Sequence, residues 1–115
     1  FKSLGSHNYL SILNLVDCVL GNSSSGILEA PSYKISTINI GDRQSGRIFA
    51  KSIINCSPIK KSILKSIEYM YSLRHINILK NVTNPYKSNN CSEKIFKIVK
   101  NFKKPKNLKK KFNII

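Results

Sequence analysis

The stretch CVLGNSSSGILEAPS, residues 18–32, joins a short apolar run to a serine-rich turn and then to a segment compatible with a helix. The apolar run Val19-Leu20 is too short for a helix and ends at Gly21, which predicts a buried strand. We expect the helix that follows the serines to reach about Tyr33. A strand, a turn of small residues and a helix in this order indicate an α/β protein.

The serine turn has the composition of an anion-binding site. Ser23 and Ser24 bring hydroxyls to a predicted helix start, where backbone N–H groups also lack partners. The helix dipole adds partial positive charge, and small residues let a pyrophosphate approach the backbone. Glu29 follows about one turn later, where its carboxylate can accept paired hydrogen bonds from a ribose diol. These features predict a site for a nucleotide diphosphate.

Strands and helices alternate along the rest of the chain. The first five predicted elements are a helix over 8–16, a strand at 19–20, a helix from the serine turn to about Tyr33, a strand over 36–40 and a weaker strand over 53–55. A helix to about Leu73 follows, with Ser57 as its N-cap and Pro58 in its first turn. The last helix runs through Phe102; Asn90 and Glu93 are expected to form a capping box at its start, and Pro105 ends it. This order predicts a parallel sheet with right-handed crossovers and both faces covered. Ligands of such sheets bind at the carboxyl ends of the strands, so residues 21–25 and 41–43 are expected to meet at one edge.

Length and composition fit one small domain or part of a larger protein. Of the 115 residues, 41% are hydrophobic, which is enough to bury a core. No apolar stretch approaches the ~20 residues of a membrane helix, and the start has neither an initiator Met nor a signal peptide, so we expect a cytoplasmic chain cut from something longer. The cysteines Cys18, Cys56 and Cys91 are widely spaced, which predicts reduced thiols without a disulfide framework or a metal site.

The net charge of +15 would ordinarily suggest a nucleic-acid partner. Only three of the 20 basic residues are arginine, however, and Lys, Ile and Asn together supply 47 of the 115 residues, as AT-rich codons would produce. The lysines are densest at Lys60-Lys61 and from Lys94 to Lys111, where their spacing fits a solvated helix face and a tail. We therefore expect a solvated basic surface, with nucleic-acid binding as the alternative.

Two long motifs resemble the hydrolysing UDP-N-acetylglucosamine 2-epimerases. The first is GNSSSGILEAPSY, residues 21–33, and the second is TINIGDRQ, residues 37–44, with Gly46-Arg47 after it. Shorter matches lie at 3–5, 9–10, 84–86 and 110–112. The resemblance implies a two-domain, glycosyltransferase-B-like fold, of which this chain is the second, Rossmann-like half. It implies a C-terminal UDP-binding domain over 1–103, a basic tail over 104–115 and an absent N-terminal domain.

The same resemblance implies roles for five residues. Ser23 and Ser24 match the serines that bind the diphosphate, and Glu29 matches the acid that holds the ribose hydroxyls. Arg43 matches the arginine of the Asp-Arg-Gln loop that lines the UDP site. Leu4 falls where a main-chain contact to uracil is expected.

The family converts UDP-N-acetylglucosamine and water into N-acetylmannosamine and UDP for sialic acid synthesis, by elimination of UDP and hydration with inversion at C2. Its acid–base groups lie in the first domain and just before this segment, so we expect no catalytic residue here, and neither His7 nor His75 stands at a catalytic position. The expected partners are UDP, UDP-N-acetylglucosamine and the missing N-terminal domain, with a homo-oligomer when complete, no membrane and no cofactor. The alternatives are an epimerase for another UDP-amino sugar, such as a diacetamido sugar, a basic nucleic-acid-binding module, and an inactive truncated product.

Three positions depart from the family pattern. Lys34 and Ser36 stand where Gly and Pro are usual, and Lys87 stands where Gly is usual after Asn-Pro-Tyr. Glycine after a helix commonly adopts a left-handed backbone, which a lysine adopts only at some cost. We expect the changes at Lys34 and Ser36 to alter how the helix ends without abolishing nucleotide binding, whereas Lys87 lies in a loop to which the sequence assigns no role.

Overall fold

The computed structural model describes residues 4–103, which form a three-stranded parallel sheet with helices packed against it. The elements are helix α1 (Gly5–Ile12), strand β1 (Cys18–Gly21), helix α2 (Ser25–Leu28), a 3-10 turn (Ala30–Tyr33), strand β2 (Ser36–Ile40), strand β3 (Ile53–Cys56), helix α3 (Lys60–Met70), helix α4 (Leu73–Lys80) and helix α5 (Cys91–Asn101). The strands lie in the order β1-β2-β3, with Val19, Thr37 and Ile53 side by side. The predicted α/β, Rossmann-like architecture is confirmed.

The core is built on both faces of the central strand β2. Ile38 is fully buried, and so is Ile27 of α2. On one face the Thr37 hydroxyl donates to the Gly26 carbonyl at 2.7 Å, and on the other Ser36 bonds to His75 of α4. The prediction that both faces are covered is therefore confirmed at β2.

Gly26 allows α2 to lie directly on the sheet. A Cβ atom at this position would stand 2.6 Å from Thr37 Cγ2, which is far inside van der Waals contact. Because the serine turn leads directly into α2, this close packing fixes the turn over the carboxyl ends of β1 and β2.

The first two predicted elements differ in detail from the structure. α1 ends at Ile12 rather than at residue 16, because the chain turns over residues 13–15 to enter β1, which leaves Leu15 exposed. β1 was predicted as a buried strand, but Leu20 is 50% exposed. In the described sheet β1 is an edge strand, so one side of it lacks the cover that β2 has.

The helix expected from the serine turn to Tyr33 is broken after one turn. α2 ends at Leu28, and the chain continues as the 3-10 turn. Pro31 has no N–H with which to bond the Ile27 carbonyl, so α-helical hydrogen bonding cannot pass it. Lys34 ends the segment in the left-handed conformation, at φ +56°, as the departure from glycine suggested.

The predicted helix to Leu73 is shorter in the structure, and a second helix that was not predicted follows it. α3 ends at Met70, and α4, which the sequence analysis missed, begins after Ser72, whose hydroxyl accepts the His75 N–H at 3.2 Å. The expected N-cap at Ser57 is wrong, because α3 begins at Lys60 and the Ser57 N–H instead donates to the Ser62 hydroxyl. The serine that caps a helix in this region is Ser72, which was not predicted as a cap.

α5 is confirmed as a helix that begins after Asn90, but the contact predicted to cap it is absent. Asn90 has a left-handed backbone and makes no side-chain cap, so the predicted capping box with Glu93 is wrong. The large apolar residues of this region are all more than half exposed, namely Ile95, Phe96, Ile98, Val99 and Phe102. Pro105 and the predicted tail over 104–115 lie outside the described residues. Within residues 4–103 no helix is long and apolar enough to cross a membrane.

Candidate nucleotide site at the carboxyl edge of the sheet

The loops that follow β1 and β2 meet at the carboxyl edge of the sheet, as predicted. Gln44 Nε2 donates to the backbone carbonyl oxygen of Asn22 at 2.6 Å. Arg43 Nη1 lies 3.5 Å from the side-chain oxygen of the same Asn22. The Asp-Arg-Gln loop is therefore bonded to the entrance of the serine turn, and Arg43 is paired with neither Asp42 nor Glu29.

The serine turn contains backbone donors without an acceptor in the described part of the chain. The Ser24 carbonyl accepts the N–H groups of Ile27 and Leu28 at 3.0 and 2.9 Å, and the Ser23 hydroxyl accepts the Ser25 N–H at 3.4 Å. Within residues 4–103 the backbone N–H groups of Ser23 and Ser24 have no acceptor. The turn can thus present two amides and nearby hydroxyls to an anionic oxygen.

The helix behind the turn is shorter than predicted. α2 has four residues, so few peptide dipoles align behind its start, and the macrodipole contribution expected from the sequence is small. The capacity of this turn to hold an anion therefore depends on its directed N–H and O–H groups and on the charge of Arg43.

Glu29 and Leu4 occupy the ends of two neighbouring helices. Glu29 is the exposed residue that ends α2, and its carboxylate forms no ion pair or hydrogen bond with the rest of the described chain. Leu4 precedes α1, which is tied to the serine turn by a hydrogen bond between the Tyr9 and Ser25 hydroxyls. Leu4 lies five residues before Tyr9, which is about 8 Å along a helix axis.

A cavity of about 500 Å³ opens beside the two loops, at the carboxyl ends of β2 and β3. Its lining residues are Gly41, Asp42, Asn55, Cys56, Ser57 and Pro58. Asn39 is buried and donates its side-chain N–H to Asn55 Oδ1 at 2.8 Å, which fixes the orientation of the Asn55 amide. The sequence analysis did not include this cavity, although Asn55 at the end of a predicted strand was a signal for it.

Shifted pKa values occur at the opposite edge of the sheet. Burial, with a smaller contribution from Asp17, raises the pKa of the Cys18 thiol at the start of β1. A hydrogen bond to Asp17 raises the pKa of Tyr71, and burial lowers the pKa of His75. His75 bonds to the first residue of β2, far from the serine turn.

Sequence reasoning missed three residues that organise this edge. Asn22 and Gln44 join the loops, and Tyr9 ties α1 to the turn. Asn22 and Gln44 both lie inside motifs that the sequence analysis quoted, but a motif does not show which of its members touch each other. Among the described residues no group of three or more His, Cys, Asp or Glu side chains is arranged to hold a metal.

A parallel α/β sheet with an anion-binding type of turn after one strand and an arginine loop after the next defines the class of the domain. It is a Rossmann-like domain with a candidate nucleotide site at the carboxyl edge. Sequence comparison then gives the family: the family described as UDP-N-acetylglucosamine 2-epimerase matches residues 1–100. The chain belongs to this family.

Individual relatives give the same result. The chain is 38% identical over 105 residues to the Polysialic acid biosynthesis protein P7 of Escherichia coli, a match over 91% of this chain and 27% of that protein. It is 51% identical over 55 residues to a GDP/UDP-N,N'-diacetylbacillosamine 2-epimerase (hydrolyzing) of Campylobacter jejuni, over 48% of this chain and 14% of that protein. It is 40% identical over 73 residues to a UDP-N-acetylglucosamine 2-epimerase of Neisseria meningitidis, over 64% and 19%. The chain thus spans about a quarter or less of the length of these relatives.

Proposed function

We propose that this chain is the C-terminal, UDP-binding part of a hydrolysing UDP-N-acetylglucosamine 2-epimerase. The observation that carries the proposal is the bonded junction of the serine turn with the Asp-Arg-Gln loop. This junction gathers Arg43 and the free amides of Ser23 and Ser24 at one edge of the sheet. The family membership supplies the substrate class, and this edge supplies groups that suit a nucleotide diphosphate.

Each group has a separate task in the proposed complex. Ser23 and Ser24 donate hydrogen bonds to the diphosphate oxygens, and the Arg43 guanidinium balances their charge. The free carboxylate of Glu29 accepts hydrogen bonds from the ribose hydroxyls, and the main chain at Leu4 contacts uracil. The same contacts stabilise the negative charge that builds on UDP as it leaves the sugar, which is how this domain contributes to the rate.

The overall reaction in this proposal takes UDP-N-acetylglucosamine and water to N-acetylmannosamine and UDP. Breaking the sugar–phosphate bond by elimination requires a base on the sugar side, and adding water to the intermediate requires a positioned acid and base. We place these groups in the N-terminal domain, which also forms the opposite wall of the cleft. The 115-residue chain alone is therefore expected to bind UDP weakly and to turn over no substrate. The complete enzyme is proposed to be a cytoplasmic homo-oligomer without a cofactor.

The test is a titration of the 115-residue chain with UDP, followed by amide-resolved NMR. Saturable shifts confined to residues 21–29 and 41–47, absent from a Ser23→Ala, Glu29→Ala double variant, would support the proposal. The matched control is Ser88→Ala with Glu68→Ala, which makes the same two changes at exposed positions outside the site. A dispersed spectrum without response at about millimolar UDP would contradict it, since even weak nucleotide sites bind in that range.

A second substrate is favoured by one observation. The 51% identity to the Campylobacter jejuni relative is higher than the identity to the other two relatives, although it covers only 55 residues. This supports a diacetamido sugar in place of the N-acetylglucosamine moiety as the alternative. In a complete enzyme, release of UDP from one nucleotide sugar and not from the other decides between them.

A further inference from the structure

Gln44 is the buried member of the Asp-Arg-Gln loop. Its side chain is 4% exposed, whereas its neighbours Arg43 and Ser45 are exposed. The loop turns tightly on both sides of it, since the Ser45 N–H bonds the Asp42 carbonyl at 2.8 Å and the Arg47 N–H bonds the Gln44 carbonyl at 3.3 Å. These turns direct the Gln44 side chain inward, where its amide nitrogen donates to the Asn22 carbonyl at 2.6 Å. The nucleotide contacts proposed above do not involve Gln44.

The bond to Asn22 fixes the direction of a whole peptide group. No peptide bond of the described chain is cis, so the Asn22 carbonyl and the Ser23 N–H point in opposite directions across one planar unit. With the carbonyl held by Gln44, the Ser23 N–H points away from the Gln44 amide and has no acceptor in residues 4–103. We infer that Gln44 is a positioning residue that holds the Ser23 amide toward the diphosphate oxygens of the ligand.

The remainder of the turn shows why one bond at its entrance matters. At its far end the turn is held by the Thr37 hydroxyl, which donates to the Gly26 carbonyl at 2.7 Å. At its entrance, Gln44 is the buried contact, because the Arg43 contact to the Asn22 side chain is long and exposed. Without Gln44 the Asn22–Ser23 peptide can rotate, and it would then present a carbonyl oxygen where the ligand needs a donor.

The consequence is specific to anionic ligands. A carbonyl oxygen that faces a phosphate repels it, whereas an N–H attracts it, so loss of the Gln44 bond acts on affinity in addition to any effect on folding. The choice of UDP as the ligand rests on the proposed function above. The peptide orientation rests on the structure alone, and the experiment below measures the two separately.

The decisive variant is Gln44→Glu, in the full 115-residue chain. At about pH 8 the introduced carboxylate cannot donate and repels the Asn22 carbonyl, and we expect the UDP affinity to fall at least tenfold. We expect burial beside a carbonyl oxygen to raise the pKa of this carboxyl group. At about pH 5.5 its protonated form donates an O–H to Asn22, and we expect most of the affinity to return relative to wild type at the same pH. Normalising to wild type at each pH removes the effect of phosphate protonation.

The matched control is Asn84→Asp. Asn84 also uses a side-chain amide to hold a backbone carbonyl, that of Leu28 at 2.8 Å, but at the other end of α2. Both variants replace an amide donor with a carboxylate, and the free energy of unfolding of each is measured with urea. A loss of UDP affinity in Gln44→Glu that exceeds the loss in Asn84→Asp at equal stability is the expected result. Equal losses would reduce Gln44 to a merely structural role and overturn the inference.

A ligand-free measurement covers the case in which the chain binds no UDP. Residual dipolar couplings report the direction of the Ser23 N–H vector relative to the sheet. We expect this vector to match the structure in wild type and Asn84→Asp, and to change in Gln44→Glu at about pH 8, where the carboxylate is charged. An unchanged vector overturns the positioning role. Failure to bind UDP together with a changed vector counts against the proposed function alone.

Discussion

The polar groups at the two ends of β2 differ in whether they have hydrogen-bond partners. At the amino end, Ser36 and His75 are each 1% exposed and are hydrogen-bonded to each other at 3.0 Å. At the carboxyl end, the amides of Ser23 and Ser24 have no acceptor within residues 4–103, and the buried amide of Gln44 serves to hold the loop that carries them. A buried polar group needs a partner, whereas an open donor keeps its hydrogen-bonding capacity for a ligand. The amino end therefore contributes to stability, and the carboxyl end provides the site.

The largest expected effect comes from separating the serine turn from β2. In Gly26→Ala the new methyl group would stand 2.6 Å from Thr37 Cγ2, and Thr37 is 2% exposed and cannot move outward. We expect a loss of about 2 kcal/mol in the free energy of unfolding, because the overpacking outweighs the better helix propensity of alanine. Urea denaturation measures it.

The control for this clash is a second change at its other side. Thr37→Ser removes Cγ2 and keeps the hydroxyl that bonds the Gly26 carbonyl. In the Gly26→Ala, Thr37→Ser double variant we expect more than half of the lost stability to return. If the double variant is as unstable as the sum of the two single variants, steric contact is not the reason for glycine at this position.

The next effect tests the amino end through pH. His75 is buried, its Nδ1 atom has no partner within residues 4–103, and burial lowers its pKa below the ordinary value of 6.5. The unfolded chain then binds more protons than the folded chain below about pH 6.5. Stability is therefore full above that pH and falls as the pH drops toward the folded-state pKa, by up to about 1.4 kcal/mol per pH unit.

Replacing the histidine isolates its share of the acid sensitivity. In His75→Gln the amide still reaches Ser36 but does not titrate, so we expect the slope between about pH 5.5 and 7 to disappear. Carboxylates also titrate toward acid, and the quantity to compare is the difference between wild type and variant at each pH. Parallel stability curves for the two proteins would show that His75 binds a proton equally well in the folded state.

A change at the carboxyl end should lower ligand affinity and leave the stability of the fold almost unchanged. Arg43 is exposed, and its side chain makes a long contact, 3.5 Å, to the side-chain oxygen of Asn22. We expect Arg43→Gln to alter the free energy of unfolding by less than about 0.5 kcal/mol and to lower the affinity for UDP roughly tenfold. The variant removes a positive charge from the proposed site and no buried contact from the fold. Calorimetric titration with UDP and urea denaturation measure the two effects. The control is Arg74→Gln on α4, exposed and outside the site, which we expect to leave both unchanged.

Sequence patterns predicted the parts of this fold that depend on local chemistry. The strand over 36–40 was recognised with its bounds because it is β-branched and followed by glycine, and the meeting of two loops followed from parallel topology. The exposure of Leu20 was not predictable in this way, because it depends on β1 lying at the edge of the described sheet. Apolar runs carry no information about which strand lacks a neighbour.

The missed features share a physical reason. The predicted helix ran past the end of α3 to Leu73, and α4 was not predicted, because only the backbone angles of Ser72 show that the chain breaks and a new helix begins there. The role of Gln44 depends on a contact across 22 positions of sequence, between a side chain and a backbone carbonyl. Backbone carbonyls have no sequence signature, so such anchors appear only in coordinates.

The smallest expected effect concerns Lys34, just before the amino end of β2. Its backbone is left-handed, which a glycine adopts without strain, but its ammonium group donates to the Lys80 carbonyl at 3.1 Å. Both effects are small, and the contact is exposed, so relief of the strain should prevail. We expect Lys34→Gly to stabilise the fold by about 0.5 kcal/mol. Lys87→Gly is the matched control, because the φ of Lys87 is not positive and the added freedom of the unfolded chain should make it slightly destabilising. If both variants destabilise equally, the left-handed lysine carries no strain, and its contact with α4 is the stronger of the two terms.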